Sequence, residues 1–214
     1  MTKLRVAEVG TAAAVALTLA ACGGSGTASP RSSSVPAVSM SAPSSAGMTG
    51  TPDGTTTGAD VFGPACNRLP QGAAPGSLDS MGPQPVASAA STNPLLTRLA
   101  AAVKATNLFD TLNRRQAITV FAPADPAFAM LGDVEFTELA PILNYHVVSR
   151  RYDAKGLATV GTVETLDTTS GPLTIEGAGE NMTVNGAKIL CGNIPTKNAT
   201  VFVIDRVLTP GTTK

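Results

Sequence analysis

The sequence predicts an α+β domain in which short helices pack against antiparallel strands. Up to Tyr145 apolar residues recur at helical spacing except in one strand-like run at 118–122, and beyond Tyr145 the spacing changes to two, as in strands. Asn185-Gly186 separates two of these strand segments, and this dipeptide favours a hairpin because a type I′ turn needs positive φ at both central positions. Helices followed by antiparallel strands indicate a helical layer on one side of a sheet assembly.

The first helix is predicted to start near Pro94, which suits the first helical position after a run of N-cap candidates. Its apolar face consists of Leu95, Leu96, Leu99 and Val103. A further helical turn is expected to carry Leu108, Phe109 and Leu112.

A second pair of helices is predicted after a break at Pro123. Asp125 is expected to be the N-cap of a helix that starts at Pro126. That helix would present Phe128, Met130 and Leu131. Residues 139–145 are expected to form an amphipathic helix with Pro141 in its first turn.

The strands are predicted from β-branched and aromatic residues between Gly, Pro and Asn turns. Residues 118–122 form the first, a buried strand. The later predicted strands are 146–148, 162–166, 173–176, 182–185, 187–191 and 201–208. Asp205 lies in a mostly apolar strand, so we expect it to accept hydrogen bonds from a neighbouring turn.

Residues 1–21 have the organisation of an export signal. Lys3 and Arg5 provide a positive start, and residues 9–21 form an apolar segment shorter than the roughly 20 residues that span a bilayer. Leu19-Ala20-Ala21-Cys22 resembles the bacterial lipobox, which implies that Cys22 is diacylated, anchors the chain to the membrane and begins the mature protein. The alternatives are ordinary secretory cleavage near Ala21 and an uncleaved anchor helix.

Residues 22–61 are predicted to be a flexible linker behind the lipidated Cys22. From residue 23 to residue 60, 31 of 38 residues are Gly, Ser, Thr, Ala or Pro, a composition that cannot bury enough apolar surface to fold. As a flexible coil the linker would span about 35 Å. The folded domain is therefore expected over residues 62–214.

Charge and cysteine content exclude several classes of function. Without residues 1–21 the formal net charge is −1, with no basic block and no tryptophan, so nucleic acid is not an expected partner. Cys66 and Cys191 form an even pair in an exported chain, which indicates a disulfide. A metal or other cofactor is not expected, because His146 is the single histidine and there is no His/Cys cluster.

Three ordered segments carry a resemblance to the fasciclin-domain family. They are residues 119–128 (Thr-Val-Phe-Ala-Pro-Ala-Asp-Pro-Ala-Phe), residues 143–148 (Leu-Asn-Tyr-His-Val-Val) and residues 199–210 (Ala-Thr-Val-Phe-Val-Ile-Asp-Arg-Val-Leu-Thr-Pro). The resemblance covers roughly residues 62–210 and implies a compact α+β domain with twisted antiparallel sheets packed on helices. Together with the lipobox, the linker and the cysteine pair, it makes the chain similar to mycobacterial fasciclin-like surface and secreted antigens.

The same resemblance proposes Tyr145 and His146 as a partner-binding patch, because the Tyr-His segment of eukaryotic relatives is implicated in adhesion. The alternative is that the tyrosine ring packs in the core while the imidazole satisfies local backbone groups.

The function expected from these observations is a non-catalytic lipoprotein on the extracytoplasmic face of the cell membrane, or released from it. Its domain would mediate adhesion to a matrix, host or envelope protein or glycan. One alternative is a carrier of a small apolar ligand in a pocket between helices and sheet. The other is an envelope hydrolase, for which the sequence offers no GxSxG or HExxH motif and no catalytic residues can be assigned.

Overall fold

Seven short α-helices and seven strands form the α+β fold of this computed structural model, which describes residues 53–131 and 136–211. Cys22, the export signal and linker residues 23–52 lie outside the described residues. No helix within the described ranges has the length and apolar character needed to cross a membrane.

Four helices precede the first strand: α1 (Leu78–Met81), α2 (Val86–Thr92), α3 (Thr97–Ala105) and α4 (Phe109–Arg114). Three follow it: α5 (Asp125–Ala129), α6 (Phe136–Tyr145) and α7 (Ala154–Val160). Short 3₁₀ helices occur at Gly58–Asp60, Cys66–Arg68 and Gly179–Asn181. The predicted helices correspond to α3 to α6, whereas α1, α2 and α7 were not predicted.

Three details of the predicted helices were wrong. The first predicted helix begins at Thr97, after the cap residue Leu96, and not at Pro94. Ala124, not Asp125, is the N-cap of α5, and the Asp125 carboxylate instead accepts hydrogen bonds from the Arg98 amide (2.9 Å) and the Thr97 hydroxyl (2.5 Å) at the start of α3. It does so because Leu96, the N-cap residue of α3, has no side-chain oxygen. Pro141 lies inside α6 and not in its first turn, because α6 begins at Phe136.

The strands are β1 (Ile118–Pro123), β2 (Val147–Val148), β3 (Thr162–Val163), β4 (Leu173–Glu176), β5 (Thr183–Val184), β6 (Ala187–Pro195) and β7 (Ala199–Ile204). They form one sheet in the order β2-β1-β7-β6-β5-β4-β3. The prediction of antiparallel strands holds for every neighbouring pair except β1 and β7, which are parallel. This pair joins two of the three family segments, residue for residue from Ile118 opposite Ala199 to Pro123 opposite Ile204.

The predicted hairpin is confirmed between β5 and β6. Val184 pairs with Ala187, and the two residues between them have positive φ, 45° at Asn185 and 75° at Gly186. The Asn185 side chain accepts the Thr174 amide (2.7 Å), which ties this turn to β4. Asp205 lies just beyond β7 and accepts the Lys188 amide (2.8 Å) of strand β6, not of a turn as expected.

Strands β1 and β7 separate two hydrophobic cores. We call the first the helical core; it contains Ile118, Val120, Val201 and Val203 together with buried residues of α1 to α4 and α6. We call the second the sheet core; it contains Phe121, Phe202 and Ile204 together with buried residues of β3 to β6 and α7. Alternate side chains of a strand point to opposite faces, so both strands are buried on both sides and read as continuous apolar runs.

The folded domain begins before residue 62, which corrects the predicted boundary of the linker. Gly54 accepts a hydrogen bond from the buried Thr200 hydroxyl (2.8 Å), and the Asp60 carbonyl accepts one from Asn193 (3.0 Å). A Cβ on Gly54 would lie 2.7 Å from the Arg151 backbone, and its φ is 69°. Residues 53–61 bury little apolar surface, but their backbone groups pair with the domain, so composition alone placed the boundary too late.

Candidate functional site

His146 lies between the end of α6 and the start of β2 and is buried, with 2% of its surface exposed. Its Nδ1 lies 2.7 Å from the Ile142 carbonyl oxygen, and its Nε2 accepts the Leu208 amide (2.9 Å). A carbonyl oxygen only accepts and an amide N–H only donates, so the ring is the neutral Nδ1–H tautomer. Burial lowers the pKa of His146 to about 4, an effect that the hydrogen bond to Ile142 opposes.

Tyr145 lies in the sheet core with 1% of its surface exposed. Its hydroxyl oxygen accepts a hydrogen bond from the Asn185 side-chain amide (3.0 Å) in the β5–β6 hairpin. The backbone carbonyl of His146 accepts the Phe121 amide of β1 (2.9 Å). These contacts connect α6, β1, the hairpin and the segment after β7.

The structure therefore places Tyr145 and His146 in the interior and does not bring them to a surface where a partner could contact them. The proposed partner-binding patch is corrected to the alternative reading, in which the ring packs in the core and the imidazole satisfies backbone groups. Because both ring nitrogens are engaged, His146 is not positioned as a general base. Within residues 53–131 and 136–211, no cluster of three His, Cys, Asp or Glu side chains is placed to hold a metal ion.

The predicted disulfide between Cys66 and Cys191 is confirmed by an S–S distance of 2.03 Å. It joins the 3₁₀ helix at Cys66–Arg68 to β6, two segments separated by 125 residues. Backbone hydrogen bonds from Ala65 to Leu190 (2.9 Å) and between Phe62 and Gly192 (2.8 Å) accompany it. The disulfide thus fastens the start of the domain to the sheet.

A small apolar cavity lies between the helices and β1. Its volume is about 30 Å³, and its lining includes Leu99, Val103, Leu112, Val120 and an edge of His146. Pockets that bind drug-sized ligands have volumes of roughly 300 to 1,000 Å³. The cavity is therefore a packing defect of the helical core and not a chamber of ligand size.

Five basic residues gather at one end of the sheet, which we call the basic end: Arg114, Arg115, Arg150, Arg151 and Lys197. Parallel strands β1 and β7 both start at this end, and β6 finishes there because its Pro195 pairs with Thr200. The loops before β1, after β2 and between β6 and β7 consequently meet there. These loops carry four of the five residues, and Arg114 is the last residue of α4, directly before the first of them.

Hydrogen bonds between these loops confirm that they lie together. The buried Asn198 amide donates to the Arg115 carbonyl (2.6 Å), and the Arg151 guanidinium donates to the Lys197 carbonyl (3.4 Å). Thr119, at the start of β1, donates its hydroxyl to the Arg150 carbonyl (2.8 Å). Arg151 is half-buried, and the other four side chains are exposed.

The sequence reasoning missed the basic end because no basic run exists. Arg114-Arg115 and Arg150-Arg151 are visible as adjacent pairs, but 34 intervening residues separate them. The topology that makes them neighbours depends on the parallel pairing of β1 with β7, which was not predicted.

Comparison with known proteins agrees with this fold. The sequence model of the fasciclin domain matches residues 94–210. Immunogenic protein MPB70 of Mycobacterium bovis is 39% identical over 190 residues, covering 81% of this chain and 89% of the relative. Cell surface glycolipoprotein MPB83 of the same species is 36% identical over 215 residues, covering 92% of each chain.

A solved structure also matches, that of a FAS1 domain pair from the insect cell adhesion molecule Fasciclin I. Its TM-score is 0.48 at 19% identity, and the match covers 54% of this chain and 45% of that chain. The chain thus spans less than half of the length of that structure.

Proposed function

This chain belongs to the fasciclin-domain family, and from that premise we propose that it is a non-catalytic cell-surface lipoprotein. Its domain mediates adhesion by binding a protein, a matrix component or a component of the cell envelope. Cys22 holds it on the extracytoplasmic face of the membrane, and a fraction of the molecules is released.

The observation that carries this proposal is the combination of the lipobox ending at Cys22 with similarity to a protein named cell surface glycolipoprotein. That match covers 92% of this chain, so it includes part of the first 52 residues as well as the folded domain. Two acyl chains give stable membrane attachment, whereas one chain gives only marginal binding.

A non-catalytic role is supported by the environment of the single histidine. The His146 ring is buried and engaged through both nitrogens, so no imidazole is available to activate a nucleophile or a water molecule. The hydrolase alternative would need an acid–base pair built from carboxylates without a recognisable motif. The apolar cavity between the helices and β1 does not favour the carrier alternative, because its volume is only about 30 Å³.

The membrane address is tested by detergent partitioning of the full-length chain and by the mass of its N-terminal peptide. We expect partitioning into the detergent phase and an N-terminal peptide at Cys22 that carries acyl chains. The Cys22→Ala variant is the matched control and should remain in the aqueous phase. Equal partitioning of both proteins, or an unmodified N-terminus, would refute the anchor.

Adhesion is tested with the mature chain carrying Cys22→Ser, immobilised and exposed to purified matrix proteins and to envelope fractions. We expect saturable retention of at least one defined component. A sample of the same chain that is reduced, alkylated and heat-denatured is the control for binding that needs no fold. If the folded chain retains nothing beyond this control, the adhesion proposal is wrong.

A further inference from the structure

The basic end is the strongest surface feature that the proposed function leaves unexplained. We propose that it binds the anionic phospholipid surface of the membrane to which Cys22 attaches the chain. This inference rests on the proposed membrane attachment and adds a face, a ligand chemistry and an orientation to it.

The charges at this end are mostly positive and mostly exposed. Arg114, Arg115, Arg150 and Lys197 are exposed, and the Arg150 guanidinium lies 5.6 Å from the centre of the Tyr152 ring. The mature chain as a whole has a formal net charge of −1, so the positive charge is a local property of this end.

Three carboxylates near the basic end have partners within the fold. Asp53 interacts with Arg151, and the Asp60 carboxylate accepts the Thr57 amide (2.8 Å) and hydroxyl (2.7 Å). Asp153 is buried, and its carboxylate accepts the Gly156 amide (2.7 Å) at the start of α7. These three carboxylates are therefore engaged away from the four exposed cations.

The segment that leads to the anchor reaches the domain at the same end. Gly54 packs against the backbone of Arg151 and Tyr152, and its carbonyl accepts the Thr200 hydroxyl at the start of β7. The chain from Cys22 therefore arrives beside the five cations and not at the opposite end of the sheet. A membrane to which the chain is attached through this segment is therefore an anionic surface close to the basic end.

The length of the intervening chain makes even weak contacts effective. If the 31 residues that lead from Cys22 to Asp53 behave as a flexible coil, their end-to-end distance is about 30 Å. The domain then meets the membrane surface at an effective concentration in the millimolar range. Each lysine or arginine near an anionic leaflet strengthens binding about fivefold. The four exposed cations are thus sufficient for the domain to rest on the membrane part of the time.

The test uses the mature chain with Cys22→Ser, so that the result does not depend on lipidation. Its sedimentation with vesicles of phosphatidylcholine alone is compared with its sedimentation with vesicles that also contain phosphatidylglycerol. We expect binding to the anionic vesicles that weakens as the salt concentration is raised. Binding that is absent, or equal for both vesicles, would overturn the proposal.

Two double variants locate the binding face. Arg114→Ala/Arg115→Ala removes two cations from the basic end, and Lys188→Ala/Arg206→Ala removes two exposed cations beyond the far end of β7. Both variants change the net charge equally. We expect the first to weaken binding to anionic vesicles about 25-fold and the second to change it much less.

Equal loss in the two variants would mean that overall charge and not the basic end determines binding, and would overturn the proposal. Retention on an immobilised acidic polysaccharide without vesicle binding would also overturn it, by assigning the surface to a glycan. Thermal unfolding of both variants confirms that they remain folded. Because detergent partitioning tests Cys22 separately, failure of this inference and failure of the membrane anchor are distinguishable.

Discussion

The helical core and the sheet core share strands β1 and β7 but are held together differently. On the sheet side, consecutive strands pair through backbone hydrogen bonds, and Phe121 and Phe202 fill the interior with ring centres 5.7 Å apart. On the helical side, α1 to α4 have four to nine residues each, shorter than helices that are stable in isolation.

Polar side chains and the disulfide compensate for these short helices. Asn198 accepts the Val86 amide at the start of α2 (2.8 Å) and donates to the Leu112 carbonyl near the end of α4 (2.8 Å). Asp125 caps α3, and Cys191 of the disulfide belongs to the helical core. The helical layer therefore depends on a few specific contacts, whereas the sheet core depends on packing and strand pairing.

The largest effect is expected from a cavity in the sheet core. Phe202 is fully buried, so Phe202→Ala should lower the free energy of unfolding by about 4 to 5 kcal/mol. Leu112→Ala, in the helical core beside the existing cavity, is the matched change and should cost about 2 to 3 kcal/mol. Urea unfolding at equilibrium measures both, and a larger cost at Leu112 would reverse the comparison.

Loss of the disulfide should have the next largest effect. The Cys66→Ala/Cys191→Ala variant releases a loop of 125 residues and should be about 4 kcal/mol less stable. The control is wild-type protein unfolded in the presence of a reductant, which should show a similar loss. A change below about 1 kcal/mol would mean that the N-terminal segment is held by its backbone contacts alone.

Asn198 tests the dependence of the helices on polar contacts. Asn198→Ala leaves the buried Val86 amide and Leu112 carbonyl without partners and should cost about 3 kcal/mol. Asn113→Ala is the matched control, since Asn113 is only half-buried and accepts the Ala87 amide at 3.0 Å, and it should cost about 1 kcal/mol. Equal costs measured by urea unfolding would contradict the central place of Asn198.

The smallest effects are expected from adding methyl groups to the two cores. Ala90→Val faces the apolar cavity and should change stability by less than about 1 kcal/mol, although valine is a poorer helix former than alanine. Ala187→Val enters the filled sheet core and should cost about 1 to 3 kcal/mol, although valine favours strands. Thermal unfolding distinguishes the two, and the opposite order would show that intrinsic propensity and not packing decides.

Local signals were sufficient for most of the fold. Residues 173–176 were predicted as a strand and form β4, and Asn185-Gly186 was predicted as the hairpin that joins β5 to β6. In contrast, α7 has a glycine, a threonine and a valine among seven residues and no apolar periodicity. Its signals were the caps: the Asp153 carboxylate accepts the Gly156 amide at its start, and Gly161 follows its end with a φ of 68°.

Features that depend on long-range contacts could not be predicted. The parallel pairing of β1 with β7 joins segments about 80 residues apart, and neither strand alone reports its partner. The gathering of Arg115, Arg150 and Lys197 at one end follows from that topology. The role of Asp125 at α3 likewise depends on a contact between residues 27 apart in the sequence. The Tyr-His segment was recognised, but its burial was visible only once both cores were in place.

Tyr145 and His146 join the two cores from inside and do not form an adhesive surface. The pKa of His146 is lowered to about 4 in the fold, while an unfolded histidine has a pKa of about 6.5. The unfolded state therefore binds the proton first, so the free energy of unfolding should fall by about 3 kcal/mol as the pH drops from 6.5 to 4. Below pH 4 the protonation of His146 should cause no further change in stability. His146→Gln should remove this component of the pH dependence.

The most direct measurement is an NMR titration of the ring of His146, the single histidine in the chain. We predict a neutral Nδ1–H ring throughout the range above pH 5 and protonation only near pH 4. A ring that titrates near pH 6.5 in the folded protein would show that His146 is exposed to solvent and would contradict its burial between the two cores.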